Sequence, residues 1–343
     1  MARRRRRRPA LNRLIQGVLV VDKPQGVTSQ DVCTEVKELL RLEKVGHAGT
    51  LDPFATGVLP LLINGATRAS QLLTSGDKLY RGTVKLGVRT DTMDPTGTVV
   101  EERPVEATSL DEVKRVCAEF VGRIEQLPPM YSAVRVDGQR LYELARQNIE
   151  VERKPKEVVI HSLDILEFRE DEIEIRVRCS VGTYIRTLAD DIGTALGCGA
   201  HLSTLVREES GPFSIDDAAA LETLRELVEE HKALPDDQRP KQPEPERLWW
   251  IDRLGTSLKN LAEALPDHQV VSLPESMRER VRSGQGIRAR DLADIDAEFG
   301  AGQPLLLWGD HGAVALAKAG CRSDVARRMP PDTMVAELQR VLN

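Results

Sequence analysis

The stretch from Val45 to Pro60, VGHAGTLDPFATGVLP, carries the residue types best suited to chemistry. It places one carboxylate, Asp52, in a glycine-containing loop that precedes an apolar run. Gly46 and Gly49 have no Cβ, so the backbone can bend sharply and a bulky substrate can come close to it. Pro53 favours extended geometry at Asp52. The pattern indicates a carboxylate that takes part in a reaction, although glycine pairs and Asp-Pro are also ordinary turn signals.

The same loop argues against one common function. It lacks the Gly-Lys-Ser/Thr ending with which a P-loop holds phosphates, so we do not expect a nucleoside triphosphate to bind here. His47 supplies a polar ring near Asp52. General base is one role open to a histidine in such a loop.

The composition is that of a soluble globular protein. Of the 343 residues, 41% are hydrophobic and 30% are charged, and the length is sufficient for two domains. No apolar run approaches the length needed to span a bilayer, and no apolar signal-peptide core follows the arginine-rich N-terminus. We therefore expect a cytoplasmic protein with no membrane partner.

The cysteines and histidines give no metal or disulfide pattern. Five cysteines, an odd number, are widely spaced without a C-x-x-C pair, which argues against both a zinc ribbon and a disulfide framework. Each is expected to be a small buried hydrophobic residue. The six histidines are equally scattered, so we predict no metal site.

The net charge of −6 does not favour an RNA partner, but the location of positive charge matters more than the sum. An unbroken block, Arg3 to Arg8, is typical of a disordered, solvated tail. Such a tail can add loose phosphate affinity. On pattern alone it also fits a nuclear-localisation signal.

Several segments predict the elements around the Asp52 loop. GVLVVD, from Gly17, reads as a buried strand, and Thr28 or Ser29 can cap the following helix. GVLPLLIN reads as a short strand, with Pro60 suggesting an edge or a bulge. Leu79 to Gly87 alternates as a strand, with Tyr80, Gly82, Val84 and Leu86 on one face.

Later segments predict a hairpin, a long strand and two helices. Ser109 and Glu112 form a capping box before a helix, and Asp137-Gly138 suits a hairpin turn. Residues 172–181 alternate as a long strand. Thr183 can cap a helix that runs to about Leu196 and stops at Gly197. Strands in irregular alternation with helices, including a hairpin, indicate an α+β domain with a largely antiparallel sheet.

Six motifs occur in a characteristic order along the chain. They are GVLVVDKPQGVTSQDV, GHAGTLDP, DKLYRG, PPMYSAVRVDGQRLYELAR, SVGTYIRTLADDIG and GCGAHLSTLVREESGPF. Together they closely resemble the bacterial TruB family of tRNA pseudouridine synthases, and they cover about two-thirds of the chain, from Gly17 to roughly Leu221. The resemblance implies a pseudouridine-synthase fold. It also implies the conversion of uridine 55 in the T-loop of tRNA to pseudouridine.

The resemblance implies catalytic roles for two residues. Asp52 is then the nucleophile, with attack at C1′, attack at C6 and a glycal route all left open. A carboxylate in a water-poor pocket tends to become protonated unless a cation holds it ionised. Arg186, at a strand-to-helix turn, is the candidate for that cation because it keeps its charge and can bind a carboxylate through two bonds. An ordinary surface ion pair is the alternative.

The chain has only four tyrosines, so their positions are informative. Tyr80 corresponds to the base-stacking tyrosine of the family, with a possible part in proton transfer at C5. Tyr184, two residues before Arg186, corresponds to a wall of the pocket. A flipped uracil needs such flat surfaces, but the same tyrosines also suit half-buried core positions.

Four more residues are expected at the substrate from the resemblance. His47 would fill the space that the uridine leaves in the RNA, and Leu205 would line the base pocket, with core packing as the alternative. Lys23 would pack against the active-site loop, although a solvated lysine reads the same in the sequence. Arg68, where many family members have lysine, would bind phosphate.

Composition and the resemblance together divide the chain. Composition predicts an arginine-rich tail at 1–16 and a polar, proline-rich linker at 231–247. The resemblance implies a catalytic domain at 17–230 with a thumb-like RNA-binding insertion at 127–150 and a small β-rich, PUA-like module at 248–343. The insertion carries Arg135, Arg140 and Arg146. The implied partner is the tRNA T-arm. The reaction is an isomerisation, so we expect no cofactor, and nothing points to a protein partner or to a state other than a monomer.

Two other functions remain open from the sequence. One is an RNA-binding protein that acts mainly as a tRNA folding chaperone, with catalysis secondary. The other is the same enzyme class acting on another RNA. Asp52, Tyr80 and Arg186 together argue against a purely binding role, because binding alone needs no nucleophile.

Overall fold

The computed structural model describes residues 15–105, 108–132, 134–136, 138–145, 147, 149, 151–240 and 242–342. The predicted tail arginines, Arg3 to Arg8, lie outside the described residues, as does Arg146 of the predicted thumb. The side chains of Arg135 and Arg140 are likewise not described.

Helices and strands alternate irregularly along the chain. The helices are α1 (Ser29–Leu39), α2 (Ser70–Thr74), α3 (Leu110–Glu119), α4 (Leu141–Ala145), α5 (Ile185–Ala195), α6 (Leu221–Ala233), α7 (Pro243–Leu254), α8 (Leu261–Ala264), α9 (Glu275–Arg282) and α10 (Ser323–Ala326). The strands before α5 are β1 (Gly17–Lys23), β2 (Val45–His47), β3 (Thr56–Ile63), β4 (Lys78–Leu86), β5 (Val88–Thr90), β6 (Val99–Glu102), β7 (Gly122–Gln126), β8 (Arg135–Val136), β9 (Gln139–Arg140), β10 (Lys156–Arg169) and β11 (Glu172–Cys179). Those after it are β12 (Ala200–Ser210), β13 (Phe213–Ser214), β14 (Ala219–Ala220), β15 (Leu258–Lys259), β16 (Gln269–Ser272), β17 (Ile287–Arg288), β18 (Pro304–Gly309), β19 (Gly312–Ala319) and β20 (Met334–Val341).

The central sheet is mixed and largely antiparallel, as predicted. Its order is β14-β1-β3-β12-β4-β11-β10-β7, and only the β1–β14 and β3–β12 pairs within it are parallel. The predicted alternation is confirmed for β11, which buries every second residue, and for β4 from Gly82 to Leu86. This α+β arrangement places β4 and β12, two strands of the active site, side by side in the middle of the sheet.

Local chemistry explains where α1 begins. Thr28 is its N-cap: the Thr28 side chain accepts from the Asp31 N–H, and the Asp31 carboxylate accepts from the Thr28 N–H. This reciprocal capping box satisfies two donors at the helix start. Val32 and Val36 are then buried against the sheet. The capped helix fixes the chain that leads into β2 and the Asp52 loop.

Two local predictions were wrong. Pro60 lies in an interior strand, not at an edge; its carbonyl accepts from Ala48 N, so its missing N–H faces away from β1 and breaks no bond of that pair. Thr183 does not cap α5, because its hydroxyl donates to the Ser180 carbonyl and Tyr184 takes the N-cap position.

The segment predicted as a linker contains regular structure. α7 begins at Pro243, and its Trp250 and Leu254 are 3% and 5% exposed in the core of the catalytic sheet. His231 of α6 lies against both indoles, with ring centroids 4.8 Å from Trp249 and 5.2 Å from Trp250. The aromatic contacts therefore hold the two helices together.

The C-terminal module is small, β-rich and PUA-like, as predicted. Its sheet has five strands in the order β16-β18-β19-β20-β17, around its own apolar core. The module docks closely: Lys259 of β15 pairs with Val18 of β1. A Cβ at Gly65 would lie 2.1 Å from the Leu342 carbonyl oxygen, so glycine is required where the two parts meet.

Candidate active site

A cavity of about 260 Å³ opens beside Asp52, where four parts of the fold meet. The Asp52 loop forms one wall, and the central strands β4 and β12 form the floor. The turn between β11 and α5 closes the opposite side. Its lining includes the side chains of Asp52, Lys78, Tyr80, Tyr184, Arg186, Leu205 and Arg207.

Asp52 and Arg186, predicted as a pair, lie in contact. The Arg186 Nε atom is 2.9 Å from Asp52 Oδ2. The Arg186 side chain is 4% exposed, whereas that of Asp52 is 35% exposed and faces the cavity. The contact is therefore a buried cation holding a carboxylate that a substrate can reach.

The remaining donors of Arg186 are fixed by the protein. Nη1 donates to the Thr92 carbonyl at 2.9 Å and lies 3.3 Å from Asp94 Oδ2. Nη2 donates to the Tyr131 carbonyl at 2.8 Å. Every nitrogen of the guanidinium thus has an acceptor, so its orientation toward Asp52 is set before any substrate arrives.

The groups around Asp52 have opposite effects on its pKa. Burial raises the pKa of Asp52 above its ordinary value of 3.8, and Asp94 also raises it, while Arg186 and Lys23 lower it. The carboxylate is less well solvated than one in water, which makes it a stronger nucleophile, and the two cations favour its ionised form. Such opposed influences are typical of a reactive carboxylate.

Lys23 holds the Asp52 loop in place through hydrogen bonds. Its side chain is fully buried, and Nζ donates to the carbonyls of Pro24, Val27 and Pro53 at 2.9, 2.8 and 3.3 Å. Burial lowers the pKa of Lys23 to about 8, although Asp52 acts in the opposite direction. The bond to Pro53 fixes the residue that follows Asp52.

Tyr80, Leu205 and Tyr184 supply the apolar surface of the cavity. Tyr80 of β4 and Leu205 of β12 come from paired strands, and Leu205 is 7% exposed. Burial raises the pKa of Tyr80, against the lowering effect of Arg207, so the phenol stays protonated at neutral pH. Tyr184 is held at the start of α5 because its N–H donates to Gln126 Oε1 at 2.9 Å.

His47 lies at a second, larger cavity of about 850 Å³ on the other side of Asp52. Its buried Nδ1 makes no hydrogen bond with any described residue. Burial lowers the pKa of the ring, and nearby Arg207 lowers it further. A neutral ring beside an open space can contact a base, but its geometry gives no hydrogen-bonded proton-transfer partner among the described side chains.

Comparisons with known proteins identify the family to which the chain is similar. Residues 37–185 match the profile of the TruB family pseudouridylate synthase N-terminal domain, and residues 186–254 match that of the tRNA pseudouridylate synthase B C-terminal domain. The chain is 42% identical over 274 residues to tRNA pseudouridine synthase B of Nitrosococcus oceani, covering 80% of this chain and 83% of the relative. It is 41% identical over 305 residues to that of Syntrophotalea carbinolica, covering 88% and 92%.

The chain belongs to the TruB family of pseudouridylate synthases.

Solved structures resemble nearly the whole molecule. A Cbf5-Nop10-Gar1 complex matches with a TM-score of 0.68 and 27% identity, over 98% of this chain and 88% of that one. An H/ACA RNP bound to a substrate RNA containing 2′-deoxyuridine matches with a TM-score of 0.66 and 26% identity, over 98% and 88%. The predicted pseudouridine-synthase fold is therefore confirmed.

Two buried residues of this TruB site were missed by the sequence analysis. Arg207, 1% exposed, donates to the carbonyls of Val58 and Gly49 at 2.8 and 3.1 Å and lines the cavity beside Tyr80. Asp94, 4% exposed, is the second carboxylate of Arg186. Both stand in recognisable polar motifs, VREES and DTMDPTG, but their partners lie far away in the sequence.

Of the predicted site residues, Lys23 and Arg68 line neither cavity of the TruB site; Lys23 still bonds to the Asp52 loop, whereas Arg68 lies elsewhere. It lies between the catalytic domain and the C-terminal module, where its Nη1 donates to the Val341 carbonyl at 3.1 Å. Lys44 and Arg282 line the same cleft, whose volume is about 270 Å³. We refer to it as the interdomain cleft.

The described residues contain no group of three or more His, Cys, Asp and Glu side chains that could hold a metal ion. All five cysteines are free, and four of them are buried. Within the part of the chain that the structure covers, no helix is both long and apolar enough to cross a bilayer.

Proposed function

We propose that this TruB family enzyme converts uridine 55 in the T-loop of tRNA to pseudouridine. The observation that carries the proposal is the Asp52–Arg186 contact at the mouth of a cavity lined by Tyr80 and Leu205. A uridine must leave the RNA stack to reach such a recessed carboxylate. The cavity then offers the flipped base an aromatic face and an aliphatic face.

The reaction breaks the N1–C1′ bond and forms a C5–C1′ bond. The C5 proton leaves and N1 gains one, so no oxidant or reductant is needed. Asp52 is the nucleophile, and its ionised carboxylate serves equally in attack at C1′, attack at C6 or assistance of a glycal route. Arg186 positions that carboxylate and disfavours its protonation, while Tyr80 stacks on the base and its hydroxyl takes part in proton transfer at C5.

The T-arm is the proposed RNA partner, and several residues are assigned to it. His47, with its open cavity, fills the space that the uridine leaves. Arg68, Lys44 and Arg282 in the interdomain cleft face backbone phosphates. β2 is three residues long, so Lys44 and His47 lie about 10 Å apart along it. A strand of RNA passing His47 can therefore reach the cleft.

The proposed organisation follows the sequence analysis. Residues 17–230 form the catalytic domain, 127–150 its thumb, and 248–343 the RNA-binding module. α7 packs Trp250 and Leu254 onto the catalytic core, so this helix, which spans the end of the proposed linker and the first residues of the proposed module, belongs with the catalytic domain. The enzyme acts as a monomer in the cytoplasm, without a cofactor.

One substitution separates a synthase from a folding chaperone. A folding chaperone or a synthase for another RNA would also bind RNA, but only a synthase needs the Asp52 carboxylate. Asp52→Asn keeps the shape and removes the nucleophile, so tRNA affinity should stay within about twofold because phosphate contacts dominate it. Turnover should fall by more than about 10³-fold. Both are measured with purified protein and unmodified tRNA.

Three outcomes would count against the proposal. Residual turnover of Asp52→Asn above a few per cent of wild type would remove Asp52 from the mechanism. Loss of tRNA binding would assign it a structural role. If RNA from cells lacking the protein kept its T-loop pseudouridine and lost another, the substrate assignment would be wrong.

The pH dependence provides a separate check. Turnover requires ionised Asp52, and burial raises the pKa of this carboxyl above its ordinary value. The rate should therefore fall as the pH drops through that raised pKa, at a higher pH than for a solvent-exposed aspartate. A single-turnover rate that stays constant down to the ordinary value of 3.8 would contradict this role.

A further inference from the structure

A second ion pair lies one helical turn beyond Arg186. Asp190 follows Arg186 by four positions on α5, so the two side chains project from the same face of the helix. Arg89 of β5 binds Asp190 through two contacts, Nε to Oδ1 at 2.8 Å and Nη2 to Oδ2 at 3.1 Å. The Asp190 side chain is only 11% exposed.

Arg89 is held in place for this contact. Its Nη1 lies 3.5 Å from Glu101 Oε2 on the paired strand β6. Its aliphatic stem packs on Gly199, where a Cβ would lie 2.6 Å from the Arg89 Cγ atom. Glycine at 199 thus leaves the room that the arginine stem occupies, and the pair has the planar, two-bond geometry that lysine cannot reproduce.

The loop that follows Arg89 carries the acceptors of Arg186. Residues 91–98 connect β5 to β6 and include Thr92, whose carbonyl accepts from Arg186, and Asp94. The loop is closed on itself: Asp94 Oδ1 accepts from the Thr92 hydroxyl at 2.7 Å and from Thr96 N at 2.9 Å. It therefore moves as a unit with β5.

α5 and the β5–β6 hairpin are thus joined at two points, by Arg186 and by Asp190. The contact through Arg186 affects the reaction directly, because Arg186 also binds Asp52. If only that contact joined them, a small rotation of the hairpin would turn the guanidinium and draw it away from Asp52. The hairpin is also bonded to β12, by the Leu202 N–H to the Met93 carbonyl at 3.1 Å and by His201 Nδ1 to the Val88 carbonyl at 2.8 Å. The Arg89–Asp190 contact adds the restraint on the α5 side, next to Arg186.

We propose that Arg89 and Asp190 are positioning residues for catalysis: their two-bond ion pair fixes the hairpin on α5 and so fixes Arg186 against Asp52. The inference rests on the proposed role of Asp52. It assigns a kinetic function to a pair that does not line either cavity beside Asp52.

Substitution of Arg89 by Gln is the direct test. Loss of the contact should lower kcat at saturating tRNA by about 10- to 100-fold, the range expected for a displaced catalytic group. The tRNA Kd should stay within about twofold, because no phosphate contact is removed. Arg89→Lys, which keeps the charge but not the two-bond geometry, should recover part of kcat.

The pH profile supplies a readout that a merely structural role would not move. The groups that act on Asp52 are Arg186, Asp94 and Lys23. A displaced Arg186 lowers the pKa of Asp52 less, so the acid limb of kcat should shift to higher pH in Arg89→Gln. Asp190→Asn should shift the acid limb in the same direction. The double variant Arg89→Gln with Asp190→Asn should have a kcat no lower than that of either single variant, because all three variants lose the same contact.

Arg225→Gln is the matched control. It removes an ion pair of 2.7 Å between α6 and Glu35 of α1, in the same domain but not on α5, and should leave kcat unchanged. The inference is overturned if Arg89→Gln is as active as this control. It is also overturned if kcat falls only in proportion to the folded fraction while the acid limb stays in place. Full turnover in Asp52→Asn would instead overturn the proposed function.

Discussion

The cavity at Asp52 and the interdomain cleft both collect positive charge, but they do so in opposite ways. At Asp52 the cations are almost fully buried: Arg186 is 4% exposed, Arg207 1% and Lys23 0%. In the interdomain cleft Lys44, Arg68 and Arg282 are all exposed. The first set is committed to protein acceptors, whereas the second is largely solvated.

The difference in burial of the cations indicates a different role for each region. A buried cation with its donors bonded to backbone carbonyls cannot rearrange during a reaction, and such preorganised charge stabilises a transition state. Exposed cations give up few protein contacts when they bind a phosphate and release counterions. They therefore increase affinity without changing the rate of the chemical step. Substitutions in the two regions should therefore separate kcat from binding.

Among the buried cations, the largest effect is expected at Arg186. Arg186→Gln removes the cation that orients Asp52, and kcat should fall by at least about 10²-fold, as when one preorganised donor is lost. It also leaves the buried carboxylate of Asp94 without its partner, which should lower the free energy of unfolding by about 3–5 kcal/mol. Single-turnover kinetics and urea unfolding measure the two effects.

A double variant separates these two consequences. Arg186→Gln combined with Asp94→Asn removes the uncompensated charge, so it should recover much of the stability but none of the lost rate. Recovery of the rate would mean that Arg186 acts only by holding the fold together.

At Tyr80 the effect should be confined to one step of the reaction. Tyr80→Phe keeps the ring, so tRNA affinity should be unchanged, but the loss of a hydroxyl that takes part in proton transfer should slow single turnover by about 10²-fold or more. Tyr80→Ala also removes the stacking surface and should weaken capture of the flipped base by about 1–3 kcal/mol. Full activity in both variants would make Tyr80 a core residue only.

Sequence reasoning recovered the elements that local chemistry specifies. The N-cap at Thr28, predicted as Thr28 or Ser29, and the alternation of β4 depend on neighbours in the chain. The reciprocal bond from Asp31 that completes the capping box was not predicted. Asp52 and Arg186 were paired because the family motifs carry them. The wrong cap at Thr183 arose because its hydroxyl found a nearer acceptor, the Ser180 carbonyl.

The residues that were missed depend on distant parts of the chain. Arg207 binds Gly49 and Val58, which precede it by about 150 positions, and a fully buried arginine is uncommon enough that composition argues against it. Asp94 is buried only because α5 brings Arg186 over its loop. Arg68 was expected at the substrate, but its place beside the C-terminal module depends on how two domains dock, which no local pattern encodes.

The smallest effect is expected in the interdomain cleft, at Arg68 and Arg282. Each Ala variant should weaken tRNA binding at low salt and reduce the slope of log Kd against log salt by about 1, the value for one phosphate contact. Turnover at saturating tRNA should be unchanged, because such a contact is equally strong in the ground state and the transition state.

Arg115→Ala is the control for the cleft. This residue of α3 is 65% exposed, and among the described residues it pairs with Glu119 of the same helix. The salt slope of this variant should match that of the wild type. A T-arm stem-loop should show the same change of slope as full-length tRNA if the phosphates belong to the T-arm, and no change if they belong elsewhere in the tRNA. If the cleft variants bind both RNAs like the wild type, the cleft does not contact RNA, and its cations serve only the docking of the two domains.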